Sequence, residues 1–152
     1  MKGAYRVLAG LIALSVVVQA AAIAFAYAGL GVWIADGGTL DAAAMEDEST
    51  TFTGVLGFPI HAINGMMVIP ILALALLIVS FFAKVERGIV MAVVLIVLVV
   101  LQVALGILGH ETPYAGLLHG INALIIFGGA TQAARQARAA STADLPSASV
   151  NA

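Results

Sequence analysis

Four long apolar stretches, separated by short polar breaks, organise the chain: residues 5–34, 57–82, 88–109 and 113–133. Each is long enough to cross a hydrocarbon core about 30 Å thick, which takes about 20 helical residues. In lipid every backbone polar group needs an internal partner, and a helix supplies one, so the pattern predicts four transmembrane helices. The breaks after the second and third stretches are short, which makes sequential helices antiparallel and closes them into one four-helix bundle. The first break, 35–53, is rich in Gly, Asp, Ala, Glu, Ser and Thr and has no apolar periodicity, so it reads as an exposed outer loop. Its acidic run Glu46-Asp47-Glu48 reads as solvated surface. Residues 140–152 carry Ser, Thr, Asp, Pro and Asn with no apolar face and read as a disordered tail behind a helical domain spanning 1–139.

Composition supports this all-α membrane reading. Hydrophobic residues make up 62% of the 152 and charged residues 9%, with a mean hydropathy of +1.13, which leaves too little polar surface for a water-soluble globule. The six basic residues, Lys2, Arg6, Lys84, Arg87, Arg135 and Arg138, lie at the N-terminus, in the second connection and beyond the fourth stretch. Under the positive-inside rule this predicts a multi-pass protein of the plasma membrane with both termini cytoplasmic. The opposite side holds Asp36, Asp41, Glu46, Asp47, Glu48 and Glu111, and no Lys or Arg. Met1 to Ala28 has the basic start and Ala26-Tyr27-Ala28 end of a signal peptide, but its apolar run continues unbroken to Trp33, which predicts a retained first helix. With no cysteine, thiolate ligands, disulfides and thiol catalysis drop out.

Candidate chemistry lies in a repeat. Ile60-His61-Ala62-Ile63-Asn64-Gly65 recurs as Leu118-His119-Gly120-Ile121-Asn122-Ala123, each copy followed by an apolar run and preceded by a helix-start signal, Pro59 or Thr112-Pro113. The odd helices match more loosely, Val18-Gln19-Ala20 against Leu101-Gln102-Val103. The chain therefore reads as two pseudo-symmetric hairpins, each contributing a Gln, a His and an Asn. Polar groups in lipid turn inward; His and Asn three residues apart share a helix face, and Gly65 and Gly106 clear space beside them. Pro70 predicts a kink in the second helix below this level.

Two matched imidazoles between cleared walls suit one flat cofactor: a single b-type haem with His61 and His119 as axial iron ligands. Asn64, Asn122, Gln19 and Gln102 are candidates for the hydrogen bonds that orient them. The bland alternative is that His and Asn are packing groups in a cofactor-free subunit of a larger membrane complex. His110, beside Glu111, reads as an exposed loop histidine; it is also a candidate to touch a haem edge or to complete a three-histidine divalent-metal site in an ion-handling protein. No nucleotide loop, nucleophile–base pair or nucleic-acid-binding stretch is present, and the helix centres carry no Asp, Glu, Lys or Arg, which argues against hydrolysis, phosphoryl transfer and proton-coupled transport.

Leu101-Gln102-Val103-Ala104-Leu105-Gly106, the Pro113 turn and Leu118 to Phe127 resemble one half of a haem A synthase, and Gly57 to Leu77 does so more loosely. The resemblance covers about 100 residues. It implies a four-helix bundle with His61 and His119 as haem ligands. Phe58 stands where that family places an acidic residue used in chemistry, Ala62 and Gly120 stand where an Arg usually follows a ligand, and the loop cysteines are missing. Oxidation of haem is therefore not expected. Solvent, Tyr114, Thr112 or His110 would have to meet the propionates in place of Arg. The chain is also similar to a family of small four-helix bacterial membrane proteins without assigned activity. The expectation is a bis-histidine cytochrome that carries electrons to a redox partner or holds haem near the outer face.

Overall fold

The computed structural model describes residues 1–46 and 50–143. Asp47 and Glu48 of the acidic run, and tail residues 144–152, lie outside the described residues. All regular structure among the described residues is helical: α1 (Lys2–Ala35), α2 (Ala42–Glu46), α3 (Gly57–Ile63), a π turn (Asn64–Val68), α4 (Ile69–Ala83), α5 (Gly88–Leu108) and α6 (Pro113–Ala143). Segment α3–α4 forms one interrupted span, so four helices among the described residues are long and apolar enough to cross a membrane.

Helix α6 runs ten residues past the expected end at 133 and takes in 140–143, which the sequence assigned to the tail. Hydropathy reports the membrane edge, whereas Ala- and Arg-rich sequence continues a helix into water without difficulty. Packing also holds this extension: Ala133 and Ala137 are fully buried, and the Lys2 ammonium donates to the Ala140 carbonyl at 3.0 Å. The first loop is likewise less irregular than its composition suggests. Asp41 Oδ1 accepts the Ala44 N–H at 2.8 Å and starts the short α2. Trp33, Phe52, Phe58 and Tyr27 form a chain of ring contacts that seats the loop on the ends of α1 and α3. Here Gly57 is required, because a Cβ would collide with the Ala22 carbonyl of α1.

Helix α1 packs on α3–α4 and α6, and α5 packs on α4 and α6. The helices that carry the two candidate histidines, α3 and α6, are thus at opposite corners. The main core cluster lies in the half nearer the basic end, Tyr5 to Val16, Ile69 to Ala83, Ala92 to Val99 and Ile126 to Ala137, and the outer half adds buried Ala22, Ala26 and Ala115. Much of it is alanine, which lets membrane helices approach closely. Large apolar side chains such as Leu14, Ile71, Val97 and Leu124 point outward, as lipid contact requires.

Tyr5 is fully buried, and its hydroxyl donates to the Gly88 carbonyl at 3.0 Å, tying α1 to the start of α5. Tyr5→Phe keeps the ring and removes the donor, so its expected cost is about 1 kcal/mol. A melt followed by circular dichroism in detergent should show a small drop in midpoint with unchanged helix content.

Candidate functional site

The main core cluster ends where the polar repeat begins, and each half of the repeat is held by its own hairpin. The His61 ring lies half-buried against α1, where its Nδ1–H donates to the Gln19 carbonyl at 3.1 Å. Asn64, one turn on, donates through Nδ2 to the Ser15 carbonyl at 2.9 Å and to Gln19 Oε1 at 3.2 Å. The other hairpin has the same arrangement. His119 Nδ1–H donates to the Gln102 carbonyl at 3.0 Å, and Asn122 Nδ2 donates to the Leu98 carbonyl at 2.9 Å and to Gln102 Oε1 at 2.7 Å. Asn122 is only 4% exposed, and these bonds satisfy both of its amide hydrogens.

The bonds fix the tautomer. A backbone carbonyl only accepts, so Nδ1 carries the hydrogen in both rings and Nε2 keeps its lone pair. The two ring centres are 6.0 Å apart with their planes at 48°. Among the described residues no hydrogen bond joins the two polar sets to each other; the imidazoles meet across the bundle without bonding.

Both candidate glycines border this region. A Cβ at Gly106 would stand 3.2 Å from His119 Cε1 and 3.3 Å from its Nδ1, so even alanine there would press on the ring. A Cβ at Gly65 would run into Gln19 Nε2, the amide whose oxygen receives Asn64. The structure therefore brings together His61, His119, Asn64, Asn122, Gln19, Gln102, Gly65 and Gly106.

His110 stays apart, exposed in the turn after α5. Among the described residues no three of His, Cys, Asp or Glu gather into a group able to hold a metal ion, so the three-histidine arrangement is not formed. Tyr114 is 77% exposed, and Asp36, Asp41 and Glu111 are exposed at the same end. Two open clefts lie at the basic end, lined by Lys2 and Lys84 in one case and by Arg87 and Gln136 in the other, and neither reaches the histidines.

The carbonyls of Ser15 and Leu98 belong to the site and escaped the sequence reading, because a backbone acceptor leaves no mark in the side-chain pattern. Their only signal is position: each lies one helical turn before its Gln. The chain matches no family model, no curated protein and no solved structure.

Proposed function

We propose that the chain is a membrane cytochrome that binds one b-type haem through His61 and His119, with electron transfer or haem holding as its role. One observation carries this reading: two imidazoles, 6.0 Å apart, each with Nδ1 bound to a carbonyl and Nε2 left with its lone pair. A metal atom midway between two ring nitrogens, at about 2.0 Å from each, holds the ring centres about 6 Å apart. The Nδ1 bonds are the outer-shell contacts that fix a ligating histidine's rotation and raise its basicity.

Haem suits the donor set better than a bare ion. A porphyrin brings four nitrogens of its own and asks the protein for two, whereas a bare divalent ion takes four or more donors and has only two histidines here. Gly106 lets the His119 ring lie against the α5 backbone, where a Cβ would stand 3.2 Å from Cε1. When bound, haem would supply one-electron iron chemistry; the chain's residues would hold the ligand rings and satisfy Asn and Gln within each hairpin.

The packing-group reading explains the bonds within hairpins, where Asn64 joins α3 to α1 and Asn122 joins α6 to α5. It leaves unexplained why the two histidines face each other unbonded. We read the hairpins as a pseudo-symmetric pair about an axis along the membrane normal, with both termini on the basic, cytoplasmic side of the plasma membrane, by the charge distribution. The acidic side then lies outside, nearest the histidines. The half-haem-A-synthase resemblance supports the same ligands, and Phe58, apolar where an acid would be needed, argues against oxidation of the macrocycle.

The test is the absorption spectrum of protein purified from membranes of cells supplied with haem, oxidised and then dithionite-reduced. The expected result is a Soret band with the sharp reduced bands of a six-coordinate low-spin haem, at one haem per chain. A haem-free protein that stays folded under these conditions would overturn the reading.

A further inference from the structure

The two histidine-bearing helices do not keep the same count between ligand and core. On α6 the inward residues are Ala115, His119, Asn122, Ile126, Ala130, Ala133 and Ala137, with steps of three and four throughout, as one continuous helix face requires. On α3–α4 they are Gly57, His61, Asn64, Ile69, Ala73, Leu76 and Ser80, and the step from Asn64 to Ile69 is five. Pairing the helices by these faces sets His61 with His119 and Asn64 with Asn122, then Ile69 with Ile126 and Ala73 with Ala130. The offset between partners changes by one residue at a single place. That place is the π turn, where the Ile69 N–H reaches back five residues to the Asn64 carbonyl.

The angles decide whether this matters. At about 100° per residue, an uninterrupted α-helix with Ile69 facing the core would turn Asn64 about 140° away, toward lipid, and His61 about 80° away. Ala62 and Gly65 would take their place on the inner face. Absorbing one residue in a π turn rotates the outer segment back by about 100°, which brings His61 and Asn64 inward and leaves Ala62 exposed, as observed. Pro70 explains why the turn sits there. It has no N–H to donate to the Met66 carbonyl four residues earlier, and its ring would clash with that carbonyl in a regular helix. Widening at Asn64–Val68 removes the conflict. Gly65, inside the turn, admits the Gln19 side chain.

We infer that the second membrane helix contains one residue more than its counterpart, that the π turn set by Pro70 absorbs it, and that this segment is the positioning element that aims His61 at His119. The inference deepens the haem reading by naming what holds one ligand in place, and its geometry applies whatever His61 faces. A residue can therefore be removed from the middle of this helix without losing the site.

The experiment compares two deletions. In the first, Met67 is deleted together with Pro70→Ala, which permits a regular helix; in the second, Ile125 is deleted from α6, which has no π turn. The first variant is expected to keep the six-coordinate spectrum of the wild type, and the second to lose haem by about tenfold or more. A second readout is independent of haem. Because the chain has no cysteine, Ala62→Cys accepts a single nitroxide label, whose collision rate with lipid-dissolved oxygen reports whether position 62 faces lipid. The label is expected to stay lipid-exposed in the Met67-deleted, Pro70→Ala protein. A label that moves into the bundle interior overturns the inference even if the wild type binds haem. If the wild type binds none, the haem reading falls and the label alone decides the positioning claim.

Discussion

His119→Ala is expected to abolish the paired-imidazole haem spectrum, and imidazole added to the purified variant is expected to restore part of it. His119 is held by its Nδ1 bond to the Gln102 carbonyl at 3.0 Å and by Gly106 against its edge, so Nε2 is presented in one direction only. Truncation removes the Nε2 proposed as an iron ligand and opens a space of imidazole size in its place. Loss of an outer-shell partner typically costs 10–100-fold in metal affinity, and loss of the ligand itself should exceed that. Stability should change much less, because the Gln102 carbonyl remains within the α5 ladder and Asn122 still joins α6 to α5. His61→Ala should behave alike. Paired measurement of Soret absorbance and thermal midpoint separates the readings: packing histidines predict a lower midpoint with no spectral change, whereas ligand histidines predict lost absorbance with a nearly unchanged midpoint.

Much of this site was legible in the sequence because polarity and burial conflict so sharply in lipid. A His and an Asn three residues apart in apolar sequence must turn inward, and a second copy of the pair supplies a partner. Gln19 and Gln102 were visible by the same rule, although the low-complexity Val and Ala around them made their match weak. What stayed hidden depends on phase and on backbone. Pro70 announced an irregularity, but whether a proline yields a bend or a π turn depends on which faces the two flanking segments must present. The five-residue step from Asn64 to Ile69 appears only once Ile69 is known to be a core residue. The far end of α6 was hidden for another reason: Arg135 and Arg138 mark where the apolar run ends, while the helix continues on Ala133 and Ala137 packed inside the bundle. The ring chain from Trp33 to Tyr27 joins residues from a loop and two helices, and no local pattern encodes such a contact.

Asn122→Leu should produce the second-largest effect, and a larger one than Asn64→Leu. Asn122 is 4% exposed and makes the shorter bond to its glutamine, 2.7 Å to Gln102 Oε1 against 3.2 Å from Asn64 to Gln19 Oε1. Leucine keeps the branching and side-chain heavy-atom count of asparagine, so the change removes hydrogen bonds without opening a cavity. It strands Gln102 Oε1 in an apolar site and frees the Gln102 side chain to press on the His119 ring that its own carbonyl orients. Interhelical hydrogen bonds in membranes are worth about 0.6–2 kcal/mol, which sets the expected fall in stability. Haem affinity should fall by about tenfold to a hundredfold, the range for outer-shell partners of a metal histidine. A double-mutant cycle with Gln102→Leu checks the mechanism. Removing both partners eliminates the stranded oxygen, so the double variant should be more stable than the sum of the single losses allows, while haem binding stays impaired. Strict additivity of the two stability losses would show that Asn122 and Gln102 act separately, and an unchanged haem affinity in Asn122→Leu would overturn the coupling between the amide pair and the histidine.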